Sequence, residues 1–149
     1  MKSILLICFS FLILQGVQAQ EVKTFSDIAQ AKNYATENDQ HILMVFAGSD
    51  WCKPCIQFKK DVLQSNDFVD RLGDKLNILY LDFPAKRKNK LSKEQTAHNE
   101  TLAERFNKSG AFPKIVLIDK EEKVLASPSF KGQTALDFVH ELESSLTAQ

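Results

Sequence analysis

The stretch Gly48-Ser49-Asp50-Trp51-Cys52-Lys53-Pro54-Cys55, GSDWCKPC, follows the apolar run HILMVFA and decides the fold. The apolar run is typical of a buried strand, so Cys52 stands where a strand ends and a helix begins. There the free backbone N–H groups and the helix dipole favour an anion, and the Cys52 thiol is expected to have a low pKa. Cys55 follows one helical turn later on the same face, within reach of Cys52. The spacing predicts a disulfide that forms and breaks.

Two other uses of the cysteine pair, a structural staple and a metal site, fit the sequence less well. A disulfide that closes so short a loop constrains the unfolded chain little, because the entropy that a cross-link removes grows with loop length. Zinc usually takes four ligands, and the three histidines lie on segments predicted to be far apart: His41, His98 and His140. Two thiolates do suit copper(I), so a soft-metal binding module stays open as the alternative function.

The N-terminal residues predict export. A short positive start, Met1-Lys2, precedes an apolar stretch from Ser3 to Leu14, and the small residues Val17 and Ala19 follow it. This pattern is typical of a signal peptide over residues 1–19, and the apolar stretch is short against the roughly 20 residues that span a bilayer. One domain, residues 20–149, is then expected in the periplasm or outside the cell, with Cys52 and Cys55 as its only cysteines.

The charge balance argues against nucleic acid as a partner. Lysine and arginine number 19, and aspartate and glutamate also number 19, whereas a protein that binds nucleic acid usually carries a strong basic excess. The densest charge is the run Lys86–Lys90, KRKNK. It is interpreted either as a solvated loop or as a docking site for an acidic partner near the cysteine pair.

Apolar residues at helical spacing and short continuous apolar runs predict the order helix, strand, helix, strand, helix, strand, strand, helix. Strands that alternate with helices pair in parallel, and the two consecutive strands near the end form a hairpin. The result is an α/β three-layer sandwich, a central mixed four-stranded sheet flanked by helices. The predicted helices cover 24–39, 52–65, 66–74, 92–107 and 132–146, and the strands cover 41–48, 76–83, 114–119 and 124–130.

Helix caps are predicted from the residues before each apolar pattern. Ser26 or Asp27 is expected to cap the first helix, and Asn66 or Asp67 the helix that ends near Gly73. Ser92 is expected to cap the predicted helix over 92–107, with Gln95 in the capping-box position.

The chain resembles exported thioredoxin-like proteins, in the branch that carries a W-C-x-x-C motif. The resemblance depends on FAGSDWCKPC at the strand-to-helix junction and on NETLAERFNKSGAFPKIVLID, and it covers Phe25 to Leu146. It implies a thioredoxin-like fold and a thiol–disulfide oxidoreductase. Cys52 would be the nucleophile and is expected to be exposed, whereas Cys55, the resolving cysteine, can be more buried.

The resemblance also implies a substrate surface beside the cysteines. The Phe112–Pro113 peptide bond would be cis, whereas on its own the pattern indicates an ordinary trans proline at the start of an edge strand. Pro54 is tolerated in the first turn of the helix and stiffens it. The residues expected to contact substrate are Trp51, Lys53, Pro54, Phe112 and Pro113.

One departure from the family concerns proton transfer. Many thioredoxins carry a buried acid in the strand before the motif, and Val45 occupies that position here. Asp50 or water is left as the proton acceptor for Cys55, with Asp50 expected to be an exposed loop residue.

The predicted function is an exported enzyme that exchanges disulfides with substrate proteins. A reductant supplied by a membrane electron donor is favoured over a strong oxidant. The protein is expected to be a monomer without cofactor or metal.

Overall fold

The structure, a computed structural model, describes residues 22–148. The predicted signal peptide, residues 1–19, lies outside the described residues. Within them, no helix has the length and apolar character needed to cross a bilayer. The strands are β1 Thr24–Phe25, β2 His41–Ala47, β3 Leu76–Asp82, β4 Lys114–Ile118 and β5 Val124–Ala126. The α-helices are α1 Ile28–Asn38, α2 Lys53–Phe58, α3 Asn66–Leu72, α4 Lys93–Phe106 and α5 Ala135–Thr147.

The sheet has the strand order β1-β3-β2-β4-β5. β1, β3 and β2 run parallel, whereas β4 pairs antiparallel with β2, and β5 antiparallel with β4. The α/β sandwich with a mixed sheet is therefore confirmed, but the predicted count of four strands is wrong. The fifth strand, β1, has only two residues, too few for an alternating pattern, and the Ile78 N–H donates to the Lys23 carbonyl beside it (2.8 Å).

The central strand β2 is buried on both faces, which explains its unbroken apolar sequence. Leu43 and Val45 pack into the core layer that also holds α2, α3 and α5. Ile42, Met44 and Phe46 pack into the opposite layer, against α1 and α4. The strand is therefore fixed on both sides, and the chain that leaves its carboxyl end starts from a rigid base.

The cap predictions are confirmed for two helices and wrong for a third. Asp27 caps α1 and Ser92 caps α4, each by accepting a backbone N–H bond. α3 is capped by Ser65, whose Oγ accepts from the Phe68 N–H (3.2 Å), instead of by Asn66 or Asp67. Three residues that can cap a helix follow one another here, and the first of them is the cap.

The Gln95 side chain does not close the predicted capping box. Its Nε2 donates to the Ser26 carbonyl (2.8 Å) and to Asn99 Oδ1 (2.8 Å).

The helix that follows the cysteine pair is not a regular α-helix throughout. α2 passes directly into a π-helical turn, Lys59–Leu63, before Ser65 begins the cap of α3. The predicted continuous helix over 52–65 is therefore wrong in its second half. The turn lets both Val62 and Leu63 point into the core.

Candidate active site

The two cysteines lie at the carboxyl end of β2, as the sequence predicts. Cys52 is the N-cap residue of α2 and is bonded to Cys55 in a disulfide, with an S–S distance of 2.01 Å. The Cys55 backbone N–H also donates to Cys52 Sγ (3.3 Å), and Pro54 occupies the first turn. An N–H aimed at this sulfur stabilises negative charge on it.

The exposure expected of Cys52 is wrong for the disulfide form. Cys52 is 4% exposed and Cys55 is 1% exposed. Both belong to an apolar core layer, and the half-buried Phe112 packs against that layer. A reacting partner must therefore approach through the side chains that surround Cys52.

Trp51 is the largest of these surrounding side chains and is 48% exposed. Its indole N–H donates to the Phe83 carbonyl (2.7 Å), and its ring meets the Phe112 ring edge-on at 5.3 Å between centroids. Gly48 lies beneath the indole, because a Cβ built on Gly48 would overlap the ring. The glycine is required here for the close approach of the indole.

The Phe112–Pro113 peptide bond is cis, which confirms that expectation. Pro113 directly precedes β4, and Lys114 at the start of β4 pairs with Phe46 near the end of β2. This register brings Pro113 to the end of the sheet that carries the cysteines. The five residues expected to contact substrate therefore lie around Cys52 and Cys55, although their roles stay predictions. Lys53 and Pro54 are exposed, and Phe112 and Pro113 are half-buried.

Asp50, expected to be an exposed loop residue, lies in the loop but is half-buried, and its carboxylate is fully hydrogen-bonded. Its Oδ1 accepts from the Ala85 N–H (2.9 Å), and its Oδ2 accepts from the Lys86 N–H (3.0 Å) and from Asn89 Nδ2 (2.8 Å). The Ala85 N–H bond, and then Asn89 and Lys86, hold the pKa of Asp50 below its usual range. The carboxylate is thus occupied in holding the segment that follows β3.

Ser49 makes a second link between the same two segments, and this link was not predicted from the sequence. Its backbone N–H donates to Asp82 Oδ1 (2.8 Å), and its hydroxyl donates to Asp82 Oδ2 (2.6 Å). A signal was present, because β2 and β3 are adjacent parallel strands and their carboxyl ends meet at one edge of the sheet. Polar residues directly after two such strands are expected to bond to each other.

The position of the missing buried acid lies between Tyr80 on β3 and Ile115 on β4, so neither paired residue supplies an acid in its place. Val45 is fully buried and pairs with Tyr80 on β3. Burial, and secondarily the charge of Asp82, raises the pKa of Tyr80 to about 12. Lys59 Nζ lies 5.0 Å from the centre of the Tyr80 ring. A groove of about 810 Å³ is lined in part by Ser49, Lys59, Tyr80 and Asp82.

Comparison with known proteins identifies the family. The model of the thioredoxin-like domain family matches residues 28–142 of this chain. The chain is 34% identical over 118 residues to the disulfide bond reductase DsbH of Chlamydia pneumoniae, covering 79% of this chain and 69% of that protein. It is 29% identical over 109 residues to the thioredoxin-related protein DsbJ of the same organism, covering 72% of this chain but only 30% of DsbJ.

A solved structure of a DsbH oxidoreductase is similar over nearly the whole fold. It has a TM-score of 0.76 and 30% identity, and the match covers 91% of this chain and 94% of that one. The oxidised C-terminal domain of Neisseria meningitidis DsbD, at 18% identity and a TM-score of 0.52, shares the fold. These findings confirm the predicted thiol–disulfide oxidoreductase, and the chain belongs to the thioredoxin-like domain family.

Proposed function

We propose that this protein reduces disulfide bonds in exported proteins, with Cys52 as nucleophile and Cys55 as resolving cysteine. The observation that carries the proposal is the placement of Cys52 at the start of α2, with the Cys55 N–H directed at its sulfur and the Cys55 sulfur in bonding reach. The direction, reduction, is supported by the similarity to a protein described as a disulfide bond reductase.

The reaction starts from the dithiol form of the protein. The Cys52 thiolate attacks one sulfur of a substrate disulfide, which forms a mixed disulfide and releases the other substrate sulfur as a thiolate that takes up a proton. Cys55 then loses its proton and attacks Cys52 Sγ, which releases the second substrate thiol. Two electrons have passed to the substrate, and the protein is left with the Cys52–Cys55 disulfide that the structure contains.

The substrate surface is formed by side chains that flank the buried sulfurs. Trp51 and Phe112 offer adjoining apolar rings, and the backbone before Pro113 leads into the start of β4. Lys53 and Pro54 extend this surface over the first turn of α2. A substrate chain laid against these residues would exclude water from the reacting sulfurs, whose cysteine residues are only 4% and 1% exposed in the disulfide form.

The proposed location is the periplasm or the exterior after removal of residues 1–19. In an oxidising compartment the Cys52–Cys55 disulfide must be reduced again after each turnover. The proposed source of electrons is a membrane donor, and the protein is proposed to act as a monomer.

The proposal is tested by insulin reduction with dithiothreitol as the electron source. Wild type is expected to accelerate insulin precipitation, and Cys52→Ser is expected to abolish this acceleration. Cys55→Ala is expected to accumulate mixed disulfides with exported proteins, identifiable by mass spectrometry, and the double variant Cys52→Ala, Cys55→Ala is the matched control that traps none. Equal activity of wild type and Cys52→Ser would refute the proposal.

The direction is tested separately through the reduction potential. A reductase is expected to lie nearer to thioredoxin, at about −270 mV, than to a strong periplasmic oxidant at about −120 mV. A value at the oxidising end would leave the exchange chemistry intact but reverse the proposed direction.

The alternative function, a copper(I)-binding module, is decided by the same variants. Within residues 22–148 no group of three or more histidine, cysteine, aspartate or glutamate side chains is placed to hold a metal ion. Tight stoichiometric copper binding that needs both cysteines, with no insulin reduction, would favour the module instead.

A further inference from the structure

The basic segment, Lys86–Lys90, presents four cations to solvent beside the active site. Lys86, Arg87, Lys88 and Lys90 are all exposed. In the part of the chain that the structure describes, none of them forms an ion pair with a carboxylate within 4.0 Å, whereas other surface cations do. Their positive charge is therefore available to a partner.

The basic segment is held in a defined shape. Residues Arg87–Asn89 form a 3-10 turn, closed by the Asn89 N–H to the Lys86 carbonyl (2.9 Å). Asp50 binds both ends of this turn, through the backbone N–H of Lys86 and the side chain of Asn89. These bonds use backbone and amide donors, and the charge of Lys86 is only the smallest of the causes that lower the pKa of Asp50. The Asp50 carboxylate therefore fixes the segment mainly through neutral donors.

The same bonds fix the basic segment next to the cysteines. Asp50 is two residues before Cys52, and Trp51 between them donates to the Phe83 carbonyl at the start of the loop. A chain that lies on the exposed face of Trp51 to reach Cys52 therefore passes the basic segment.

We propose that the basic segment, fixed by Asp50, is a docking surface for substrate proteins whose disulfide is flanked by acidic residues. The inference rests on the proposed function, since it names the kind of substrate that the Cys52–Cys55 pair reduces. Exposed charges act mainly on the association rate and are screened by salt. The segment therefore raises the rate of reduction of acidic substrates at low ionic strength.

The test compares two disulfide-linked peptides that differ only in the four residues beside the cysteine, Glu and Asp in one and Gln and Asn in the other. The second-order rate of their reduction by the dithiol protein gives a ratio, acidic over neutral. For wild type the ratio is expected to be about tenfold at about 20 mM salt and to fall below about twofold at about 500 mM. The variant Lys86→Ser, Arg87→Ser, Lys88→Ser, Lys90→Ser is expected to show the low ratio at both salt concentrations.

A matched control removes four cations from the opposite end of the sheet. Lys23 and Lys75 precede the parallel strands β1 and β3, and Lys120 and Lys123 lie in the turn after β4. Replacing these four by Ser changes the net charge equally and is expected to keep the wild-type ratio. An unchanged ratio in the segment variant, or an equal loss in both variants, overturns the proposal.

The neutral peptide tests the proposed function separately. Its reduction by all three proteins shows that the proposed function stands, whereas no reduction of either peptide by wild type refutes that function itself.

The role of Asp50 is tested by a variant for which the change in charge and the loss of the bonds to the segment predict opposite changes in the acidic-over-neutral rate ratio. Asp50→Ala makes the surface more positive, so charge alone predicts a higher ratio. Loss of the bonds to the segment predicts a lower ratio, which is the expected outcome. Asp61→Ala, an exposed site on the π-helical turn, removes the same charge and is expected not to lower the ratio. A higher ratio for Asp50→Ala overturns the part assigned to Asp50, and the neutral peptide corrects each ratio for any loss of folded protein.

Discussion

Two carboxylates at opposite ends of the sheet hold loops by different means. Glu122, in the turn between β4 and β5, accepts from Lys32 Nζ (2.7 Å) and from Arg105 Nη2 (2.6 Å). Asp50, beside the cysteines, accepts from two backbone N–H groups and one amide. At the far end an acid neutralises two cations. At the active-site end an acid fixes a loop mainly through neutral donors, and none of the cations of that loop lies within 4.0 Å of a carboxylate among residues 22–148.

The contrast also appears in the causes of two pKa shifts. The Lys32 ammonium, and then the Arg105 guanidinium, hold the pKa of Glu122 below its usual range. The pKa of Asp50 is lowered mainly by the Ala85 N–H. Ion pairing serves folding at one end, and neutral hydrogen bonds at the other end leave charge free for recognition.

The largest expected effect follows from disturbing the active-site end at Gly48. Gly48→Ala places a Cβ into the Trp51 indole, so the ring must move and its bond to the Phe83 carbonyl is broken. We expect the free energy of unfolding to fall by about 1–3 kcal/mol. Trp51 is the only tryptophan, so its fluorescence reports the movement while urea unfolding measures the loss.

Gly110→Ala separates steric overlap from backbone strain in this experiment. Gly110 has a φ of 64° and no atom within 4 Å of a built Cβ. The control is expected to lose some stability through its backbone conformation but to keep the wild-type fluorescence. A Gly48→Ala protein with unchanged fluorescence and stability would contradict the close packing of the Trp51 indole on Gly48.

A smaller effect is expected from Glu122→Gln at the far end. The change leaves Lys32 and Arg105 without their carboxylate, and since the pairs lie near the surface we expect a loss of about 0.5–1 kcal/mol in urea unfolding. The loss should shrink in about 1 M salt, because salt screens exposed charges. Because the pKa of Glu122 is lowered by folding, its contribution is present above the ordinary glutamate pKa and is lost as the pH falls through the folded value.

Glu121→Gln is the neighbouring control for this measurement. Glu121 is exposed and forms no ion pair within the described residues. The idea that ion pairs hold the far end fails if both variants lose the same stability, or if the loss at Glu122 is independent of salt.

The titration of Asp50 sharpens the comparison further. Protonation of its carboxylate weakens the bonds from the Ala85 and Lys86 amides, so the NMR shifts of these two amides should follow it. We expect a midpoint below the usual aspartate value of about 4. The anchoring of the loop is therefore complete above that usual value and is lost as the pH falls through the midpoint.

Salt distinguishes the two carboxylates in the same experiment. The Glu122 midpoint should rise in salt, because cations lower it, whereas the Asp50 midpoint should move less. Asp50→Asn is expected to remove the titration from both amides. Amide shifts that persist in this variant would assign them to another group.

The sequence predicted the elements that have a strong local pattern. The apolar run over β2, the cap at Ser92 and the C-x-x-C spacing each depend on a few adjacent residues, and each is confirmed. The cis bond before Pro113 was obtained from the family resemblance, because no local pattern distinguishes it from a trans bond.

The contacts that the sequence missed join residues far apart in the chain. The Asp50 bonds span 35 to 39 positions, and a single acid next to a tryptophan carries no sign of its partner. The burial of Cys52 was likewise missed. It depends on a core layer built from distant parts of the chain, against which Phe112 packs from the segment before β4. Strand β1 was missed because two residues form no pattern.

The smallest effect concerns Asp82, a third carboxylate, which lies at the active-site end and is bonded by the Ser49 N–H and hydroxyl. Because these donors are neutral, its charge still acts on Tyr80. Burial, and then the charge of Asp82, raises the pKa of Tyr80 to about 12.

The effect of Asp82 on Tyr80 can be measured in a Tyr34→Phe background, where Tyr80 is the only tyrosine. At pH 11 we expect phenolate absorbance from about a tenth of it, against nine tenths for a tyrosine with the usual pKa of about 10. Asp82→Asn should raise the phenolate fraction, since removing a negative charge lowers the pKa, and Asp39→Asn at the far end should not. Tryptophan fluorescence at pH 11 verifies the fold, and a phenolate fraction that is insensitive to Asp82→Asn would mean that the Ser49 bonds neutralise this carboxylate as fully as Lys32 and Arg105 neutralise Glu122.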